Sequence, residues 1–116
     1  MTLQAMLIDV RAVLTPLAPT HLRDAIPLDA SGNPVLPDTS IIVDLVSDVS
    51  SFDFTSVFSS VLLQIGCWSP SIAAAFHLQE QVRTILAERG WDIVRVNPTQ
   101  TDGQHRGVLA DYSNLR

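Results

Sequence analysis

Residues 61–90 read VLLQIGCWSPSIAAAFHLQEQVRTILAERG, and this stretch predicts a strand that is followed directly by a long helix. Apolar side chains alternate along its first part, and this pattern predicts a strand over residues 57–68. One face of that strand carries Val57, Val61, Leu63, Ile65 and Cys67. Gly66 and Trp68 belong to the other face, and a glycine inside a strand indicates a bulge or a close approach of another backbone segment.

The second part of the same stretch predicts a helix. Ser69 followed by Pro70 is a typical helix start, with an N-cap serine and a proline at the first helical position, and Gly90 is a typical stop. We therefore expect a helix from about Pro70 to Arg89. Its apolar face comprises Ile72, Ala75, Phe76, Leu78, Val82, Ile85 and Leu86.

Residues 41–49 predict a partner for the first strand. The alternation places Asp44 and Asp48 on one face, and the opposite face comprises Ile41, Val43, Leu45 and Val49. A polar turn over residues 50–55 joins the two strands, so we expect an antiparallel hairpin.

The N-terminal third predicts a helix and a long connection. Apolar residues recur at helical spacing from Leu3 to Leu14, and Pro16 forces the helix to end. The proline-rich segment 16–37 is expected to be a loop packed on the domain, with a short edge strand near residues 21–26.

Two further strands are expected after the second helix, over residues 91–96 and 108–113. The intervening segment 97–107 is rich in turn-forming residues and predicts an irregular excursion. The element order is helix, two strands, helix, two strands. The expected fold class is therefore α+β, with two helices packed on an antiparallel sheet of about four strands in a single domain spanning residues 1–116.

Composition excludes several classes of function. The 116 residues include no lysine, and the seven basic residues are arginines spread along the chain against twelve acidic residues, a formal net charge of −5. Nucleic-acid grooves need several cations on one face, so this balance argues against specific DNA binding. A single cysteine excludes an internal disulfide, and no stretch of about 18 apolar residues predicts a membrane span. Asp9 and Arg11 interrupt the first apolar segment, which argues against a signal peptide, so we expect the protein to stay in the cell that makes it.

No pattern in the sequence is typical of a catalytic, cofactor or metal site. The three histidines, His21, His77 and His105, lie far apart in the chain. His77 and Glu80 are one helical turn apart, but on the polar face, where a solvated surface is expected. Cys67 alternates with core residues and is expected to behave as a small hydrophobe. We therefore predict a protein that is not an enzyme and that holds no cofactor or metal.

Two groups of side chains lie near the predicted hairpin tip. The hairpin acidic group comprises Asp44, Asp48 and Asp53, and the hairpin aromatic group comprises Phe52, Phe54 and Phe58. The acidic group is either a charged solvent face that prevents edge pairing or a wall that repels polyanions. The aromatic group either folds back under the proline-rich loop or fills a pocket of a partner as a set of anchors.

Six segments follow one another in a recognisable order. An amphipathic helix comes first, and a proline-rich stretch ending Val35-Leu36-Pro37 leads into the strand Ile41–Val46. The run Leu63-Gln64-Ile65-Gly66-Cys67-Trp68-Ser69 then directly precedes an alanine-rich helix, and the last strand contains Ala110-Asp111-Tyr112. In this order, which covers most of the chain, the sequence resembles the small tail-completion or tail-terminator proteins of long-tailed bacteriophages and related prophages.

This resemblance implies a structural role in the virion. Proteins of this family form a ring, usually of six copies, at the head-proximal end of the tail tube, where they halt tube polymerisation and present a surface to the head connector. The implied partners are further copies of the chain, the tail tube protein and a head-completion or connector protein, while DNA passes through without specific binding. The implied location is the tail-neck region of the virion, after synthesis in the host bacterial cytoplasm.

Each subunit of a ring faces a central lumen and contacts neighbouring subunits, and the sequence offers candidate residues for both surfaces. An acidic lumen lets DNA slide because it does not attract phosphates, so we expect the hairpin acidic group there, with Asp102 as a further candidate. The hairpin aromatic group and the turn 97–107, with Asp102 and His105, are the candidates for contacts with neighbours or with the tube.

Two other functions stay open from the sequence. One is a small ferredoxin-like regulatory or ligand-binding module that acts as a dimer, which needs a pocket with a few convergent polar groups. The other is a small hydrolase that uses His105, Asp102 and a remote serine or Asp111. Replacing His105 by alanine would abolish the activity of such a hydrolase but leave a ring subunit nearly intact.

Overall fold

In the computed structural model, helices and strands account for most of the residues described, which are 3–35, 37–50, 59–102 and 104–115. The helices are α1 (Leu3–Leu14) and α2 (Ile72–Glu88). The strands are β1 (Thr20–Leu22), β2 (Ser40–Ser50), β3 (Ser59–Ser69), β4 (Asp92–Asp102) and β5 (His105–Leu115). A 3₁₀ turn, Arg23–Ala25, follows β1.

The five strands form one sheet with the order β1-β2-β3-β5-β4. Strands β2, β3, β5 and β4 pair antiparallel, as predicted. The α+β class with two helices is thus confirmed, but the sheet has five strands rather than about four and is mixed. The additional strand is β1, the short edge strand expected near residues 21–26. It runs parallel to β2 because the connection over residues 23–39 returns the chain to the same end of the sheet.

Helix α1 lies over β1 and β2. Its buried residues are Met6, Val10 and Leu14, spaced four apart so that they share one face of the helix. The helix ends at Leu14, two residues before Pro16, where the sequence predicted its end.

Strands β2 and β3 supply the centre of the core. The buried positions are Ile41, Val43, Val61, Leu63, Ile65 and Cys67, as the alternation predicted. A register shift interrupts the pairing between Leu45 and Ser47, so that Asp44 lies opposite Gln64 whereas Asp48 lies opposite Val61. The alternation that placed Asp44 and Asp48 on one face is therefore broken between them.

Helix α2 begins slightly later than predicted. Ser69 still belongs to β3, and Ser71 is the N-cap, with its hydroxyl accepting a hydrogen bond from Ala74 N at 3.4 Å. The predicted stop is confirmed: Gly90 adopts a φ of 86° and Trp91 N donates back to Leu86 O at 2.9 Å. This is the Schellman geometry, in which glycine relieves the strain of a left-handed residue.

The irregular excursion predicted over residues 97–107 is wrong. Strand β4 continues to Asp102 and β5 begins at His105, so this segment is the end of a long hairpin. A register shift between Asn97 and Gln100 makes residues 98 and 99 a bulge. Pro98 is tolerated there because β4 is an edge strand and the bulge needs no regular N–H donor.

Both helices pack on the same face of the sheet. The core between helices and sheet includes Val10, Leu14, Leu78, Val82, Leu86, Ile65, Trp91 and Tyr112. We call the opposite side of the sheet, which neither helix covers, the open face. Within the described ranges, no helix has the length and apolar character needed to cross a membrane.

The connection from the 3₁₀ turn to β2 folds back on itself. Val35 N donates to Pro27 O at 2.7 Å, and the carboxylate of Asp29 accepts two backbone N–H groups at the tip, at 2.8 and 2.9 Å. We call this segment the 27–35 loop. It carries two exposed apolar side chains, Leu28 and Val35.

Candidate functional site

A polar row crosses the open face along one line of cross-strand neighbours. Asp44 on β2 lies opposite Gln64 on β3, which lies opposite Asp111 on β5, and Asp111 lies opposite Arg95 on β4. Arg23, from the 3₁₀ turn, extends the row at the β2 end, with its Nε 3.2 Å from Asp44 Oδ2. The polar row therefore contains two arginines and two aspartates, and its charges balance.

Asp111 is the buried member of the polar row, with a side chain only 3% exposed. Arg95 donates two hydrogen bonds to Asp111 Oδ2, one from Nη2 at 2.7 Å and one from Nε at 3.1 Å. The other oxygen, Oδ1, has no hydrogen-bond partner among the described residues. Arg95 therefore provides the compensation that a buried carboxylate requires.

Trp68 lies on the open face against two glycines. It stands opposite Gly107, where an added Cβ would lie 2.7–2.8 Å from three atoms of the six-membered indole ring. A Cβ at Gly66 would lie 2.8 Å from Trp68 Nε1 and 2.8 Å from Leu109 Cδ2. The bulge or close backbone approach predicted at Gly66 is wrong, because the register is regular there and the groups that come close are the side chains of Trp68 and Leu109. The glycines position the indole by leaving it room.

A recess of about 150 Å³ lies between Trp68 and the 27–35 loop, and we call it the loop recess. Its apolar walls are Ile26, Pro34, Pro37, Ile42 and Trp68, and its polar lining is Arg23, Ser40 and His105. Ser40 Oγ and His105 Nε2 are buried and have no hydrogen-bond partner in the described part of the chain. Asp38 Oδ1 lies 4.0 Å from His105 Nε2, which is beyond hydrogen-bond distance.

A second apolar depression, the α2–β4 groove, lies on the helix side of the sheet. Its volume is about 160 Å³, and it is lined by Phe76, Gln79, Glu80, Arg83, Ile93, Val96 and Val108. Phe76 is 39% exposed and Val96 41% exposed. The prediction that Phe76 belongs to the buried face of α2 is therefore wrong, because the residue reaches past the edge of the core.

Gln79 is a buried polar residue that the sequence analysis missed. Its Nε2 donates to Ile65 O at 2.9 Å and to Val108 O at 2.8 Å, and its Oε1 accepts from the Tyr112 hydroxyl at 2.8 Å. The available signal was helical spacing, since position 79 lies one turn after Ala75 on the face that carries the core. The residue fixes α2 on β3 and β5.

Of the predicted site residues whose side chains the structure describes, Asp44 lies in the polar row and His105 lines the loop recess. Asp44 is paired with Arg23 in the polar row, and Asp48 lies further along β2, with its side chain outside the described part. Asp53 and the hairpin aromatic group, Phe52, Phe54 and Phe58, lie outside the described residues. Asp102 stands opposite His105 at the end of the β4–β5 hairpin, and its side chain is also not described.

The described titratable groups include Cys67 in the core and His77 and Glu80 on the surface of α2. Burial raises the pKa of the Cys67 thiol from 9.0 to about 12, which makes a thiolate nucleophile unfavourable. His77 and Glu80 are exposed, as predicted. Within the described ranges, no three His, Cys, Asp or Glu side chains are close enough together to hold a metal ion. The hydrolase alternative gains no support, because Arg95 holds Asp111 in the polar row and His105 lines the loop recess.

The comparisons with known proteins assign no family to this geometry. No protein-family model matches the chain, and no curated protein matches it.

Proposed function

We propose that this chain is a structural subunit that forms a ring, a hexamer, at the head-proximal end of a bacteriophage tail tube. There it halts tube polymerisation and joins the tail to the head connector. The segments that carry the resemblance to tail-terminator proteins fall on α1, β2, β3, α2 and β5. The proposal assigns no catalytic residue and no cofactor.

One observation carries this proposal: the subunit has two separate apolar surfaces on opposite sides of the sheet. The α2–β4 groove lies on the helix side, and the 27–35 loop, with Leu28 62% and Val35 50% exposed, lies against the open face. A ring subunit needs two different contact surfaces, because each copy meets one neighbour with one surface and the next neighbour with the other. Contact between copies then removes both apolar surfaces from water.

The charge distribution limits which residues give a lumen its acidic character. Arg23 neutralises Asp44 and Arg95 neutralises Asp111, so the polar row adds no net charge. The acidic lumen is therefore assigned to Asp48, Asp53 and Asp102.

Negative-stain electron microscopy and sedimentation velocity on the purified full-length chain test this function. We expect six-fold annular particles with a hole wide enough for duplex DNA, and an arrest of tube growth when they are added to polymerising tail tube protein. Monomers or compact dimers at high concentration, with and without the tube protein, would contradict the proposal.

The loop recess favours one alternative, a small ligand-binding or regulatory module that acts as a dimer. Its lining includes two polar residues, Ser40 and His105, and such a module requires a few polar groups in its pocket. The ferredoxin-like form of this alternative does not fit, since the described helices and strands follow the order α-β-β-β-α-β-β rather than β-α-β-β-α-β. Compact dimers that bind a ligand in the recess would favour this function over the ring.

A further inference from the structure

The 27–35 loop is a projecting ribbon that keeps its shape without being packed into the core. Every one of its residues is exposed, including Leu28 and Val35. Its backbone is nevertheless held by hydrogen bonds within the loop, such as the one that Asp29 N donates to Asn33 O at 2.9 Å. A segment that is already ordered loses little conformational entropy when it binds, so this loop is suited to insert into a complementary surface.

The α2–β4 groove is the surface that matches this loop in apolar character. Among the described residues, the large apolar side chains that stay exposed are Ile8, Leu28, Val35, Phe76, Val94 and Val96. Two of these lie on the loop, and two, Phe76 and Val96, line the groove. Contact between a loop and a groove therefore removes most of the exposed large apolar side chains from water at once.

The polar groups of the two surfaces are complementary as well. The charged residues that line the groove are Glu80 and Arg83, and Arg83 forms no ion pair within the described part of the chain. At the loop tip, both backbone N–H groups that bind the Asp29 carboxylate use Oδ1, which leaves Oδ2 to accept from a guanidinium. The exposed amide of Asn33, at the same tip, can donate to Glu80.

Within one copy the loop and the groove lie on opposite sides of the sheet, so a loop reaches only the groove of another copy. From these features we infer that the 27–35 loop of each subunit docks in the α2–β4 groove of the next subunit, with Asp29 paired to Arg83. The inference rests on the proposed ring and names its repeating contact. Because loop and groove are different surfaces, an open chain of copies has one of each free at its ends, and closing the ring joins them.

Site-directed cross-linking of the full-length chain tests which surfaces meet. Val35→Cys places a thiol on the loop, Val96→Cys places one in the groove, and the native Cys67 is buried and therefore unreactive towards a short bismaleimide. The two variants are mixed at low concentration and then concentrated. We expect cross-linked dimers from the mixture and none from either variant alone. Ile8→Cys, at an exposed position on α1 outside the groove, is the control and should give no dimers with Val35→Cys.

A double-mutant cycle tests the ion pair. Asp29→Asn keeps the Oδ1 acceptor that the loop tip uses but removes the charge, and Arg83→Gln removes the cation. Each change should raise the dissociation constant of one subunit contact about five-fold in sedimentation velocity. The double variant should lose no more than either single variant, because the same ion pair is lost only once. Glu88→Gln, at an exposed position on α2 outside the groove, is the control and should assemble like the original chain.

The outcomes separate this inference from the proposed ring. Annular hexamers in which the Val35→Cys and Val96→Cys copies do not cross-link would overturn the contact between loop and groove but leave the ring standing. Dimers formed by one of these variants alone, or additive losses in the double-mutant cycle, would also overturn the inference. Cross-linked pairs in assemblies that never close would support the contact and contradict the ring. Monomers at high concentration would overturn both.

Discussion

The Tyr112 hydroxyl donates a hydrogen bond to Gln79 Oε1 at 2.8 Å, so β5 and α2 are joined through two buried polar side chains. The same glutamine donates to the main-chain oxygens of Ile65 and Val108. One side chain thus satisfies groups on both central strands. Because these groups give up their water on folding, the loss of Gln79 leaves the Tyr112 hydroxyl without this acceptor and removes one donor from each of the two carbonyls.

Replacing Gln79 with leucine should therefore lower the free energy of unfolding by about 2–4 kcal/mol, since the new side chain fills the space but makes no hydrogen bond. Urea denaturation at neutral pH measures the change. Gln81→Leu, at an exposed position on the same helix, is the matched control and should stay within about 0.5 kcal/mol of the original chain. If the two substitutions lower the free energy of unfolding equally, the buried hydrogen bonds of Gln79 make no net contribution to stability.

Gly107→Ala should displace Trp68 from the open face. The new methyl group would lie 2.7 Å from Trp68 Cζ3, and the backbone of the central strand β5 cannot easily move away. We expect a loss of about 1–3 kcal/mol and a red shift of tryptophan emission as the indole becomes more exposed. Adding Trp68→Leu should recover part of the stability. A stable variant with unchanged emission would show that the glycine is not needed there.

Arg95→Ala should destabilise the fold, because it leaves Asp111 buried without its partner. About 2 kcal/mol is expected, less than for a fully buried pair because Arg95 itself is largely exposed. Arg89→Ala is the control: Arg89 lies 3.6 Å from Asp9 in a half-exposed pair, and its loss should cost under about 0.5 kcal/mol. Thermal unfolding of the two variants side by side measures the difference, and equal midpoints would argue against a stabilising role for the Arg95 contact.

Most of the helices and strands could be predicted from the sequence, because each of them buries one side and its apolar residues therefore repeat with a regular period. Helix α1 and strand β3 show their apolar period directly, and Gly90 ends α2 through a local backbone geometry that any helix can use. These signals lie within short stretches of chain. They fix what each element is, but they do not fix what it packs against.

The features that the sequence did not reveal depend on tertiary contacts. Pro98 is typical of a turn, yet it lies in β4 because that strand is at an edge and contains a bulge. Asp111 has the alternation of a solvent-facing residue, yet it is buried on an inner strand and paired with Arg95. The loop recess brings together Arg23, Ser40 and His105, which are far apart in the sequence and carry no shared spacing.

Alkaline pH should destabilise the protein through Cys67 and Tyr112. Burial raises the pKa of the Cys67 thiol from 9.0 to about 12 and also raises the pKa of the Tyr112 hydroxyl. Above about pH 9 the unfolded chain loses the thiol proton while the folded chain keeps it. The free energy of unfolding should then fall as pH rises, by at most about 1.4 kcal/mol per pH unit for each group, and it should be unaffected by these groups below pH 9.

Urea midpoints between pH 8 and pH 11 measure this fall. Cys67→Ala lowers stability at every pH because it leaves a small cavity, so the informative quantity is the slope against pH. That slope should be shallower in Cys67→Ala than in the original chain. Identical slopes would assign the alkaline destabilisation to other groups.

Val96→Asp should prevent ring assembly while leaving the subunit folded. Val96 is 41% exposed in the α2–β4 groove, so a carboxylate there remains hydrated in the free subunit but becomes buried when a neighbour covers the groove. Sedimentation velocity should show a shift from hexamer to monomer, with an unchanged circular dichroism spectrum. Ile8→Asp is the matched control, since Ile8 on α1 is more exposed than Val96 and lies outside the groove. If both variants assemble, or if both dissociate, the groove is not the surface that selects the neighbour, and the two-surface arrangement loses its main support.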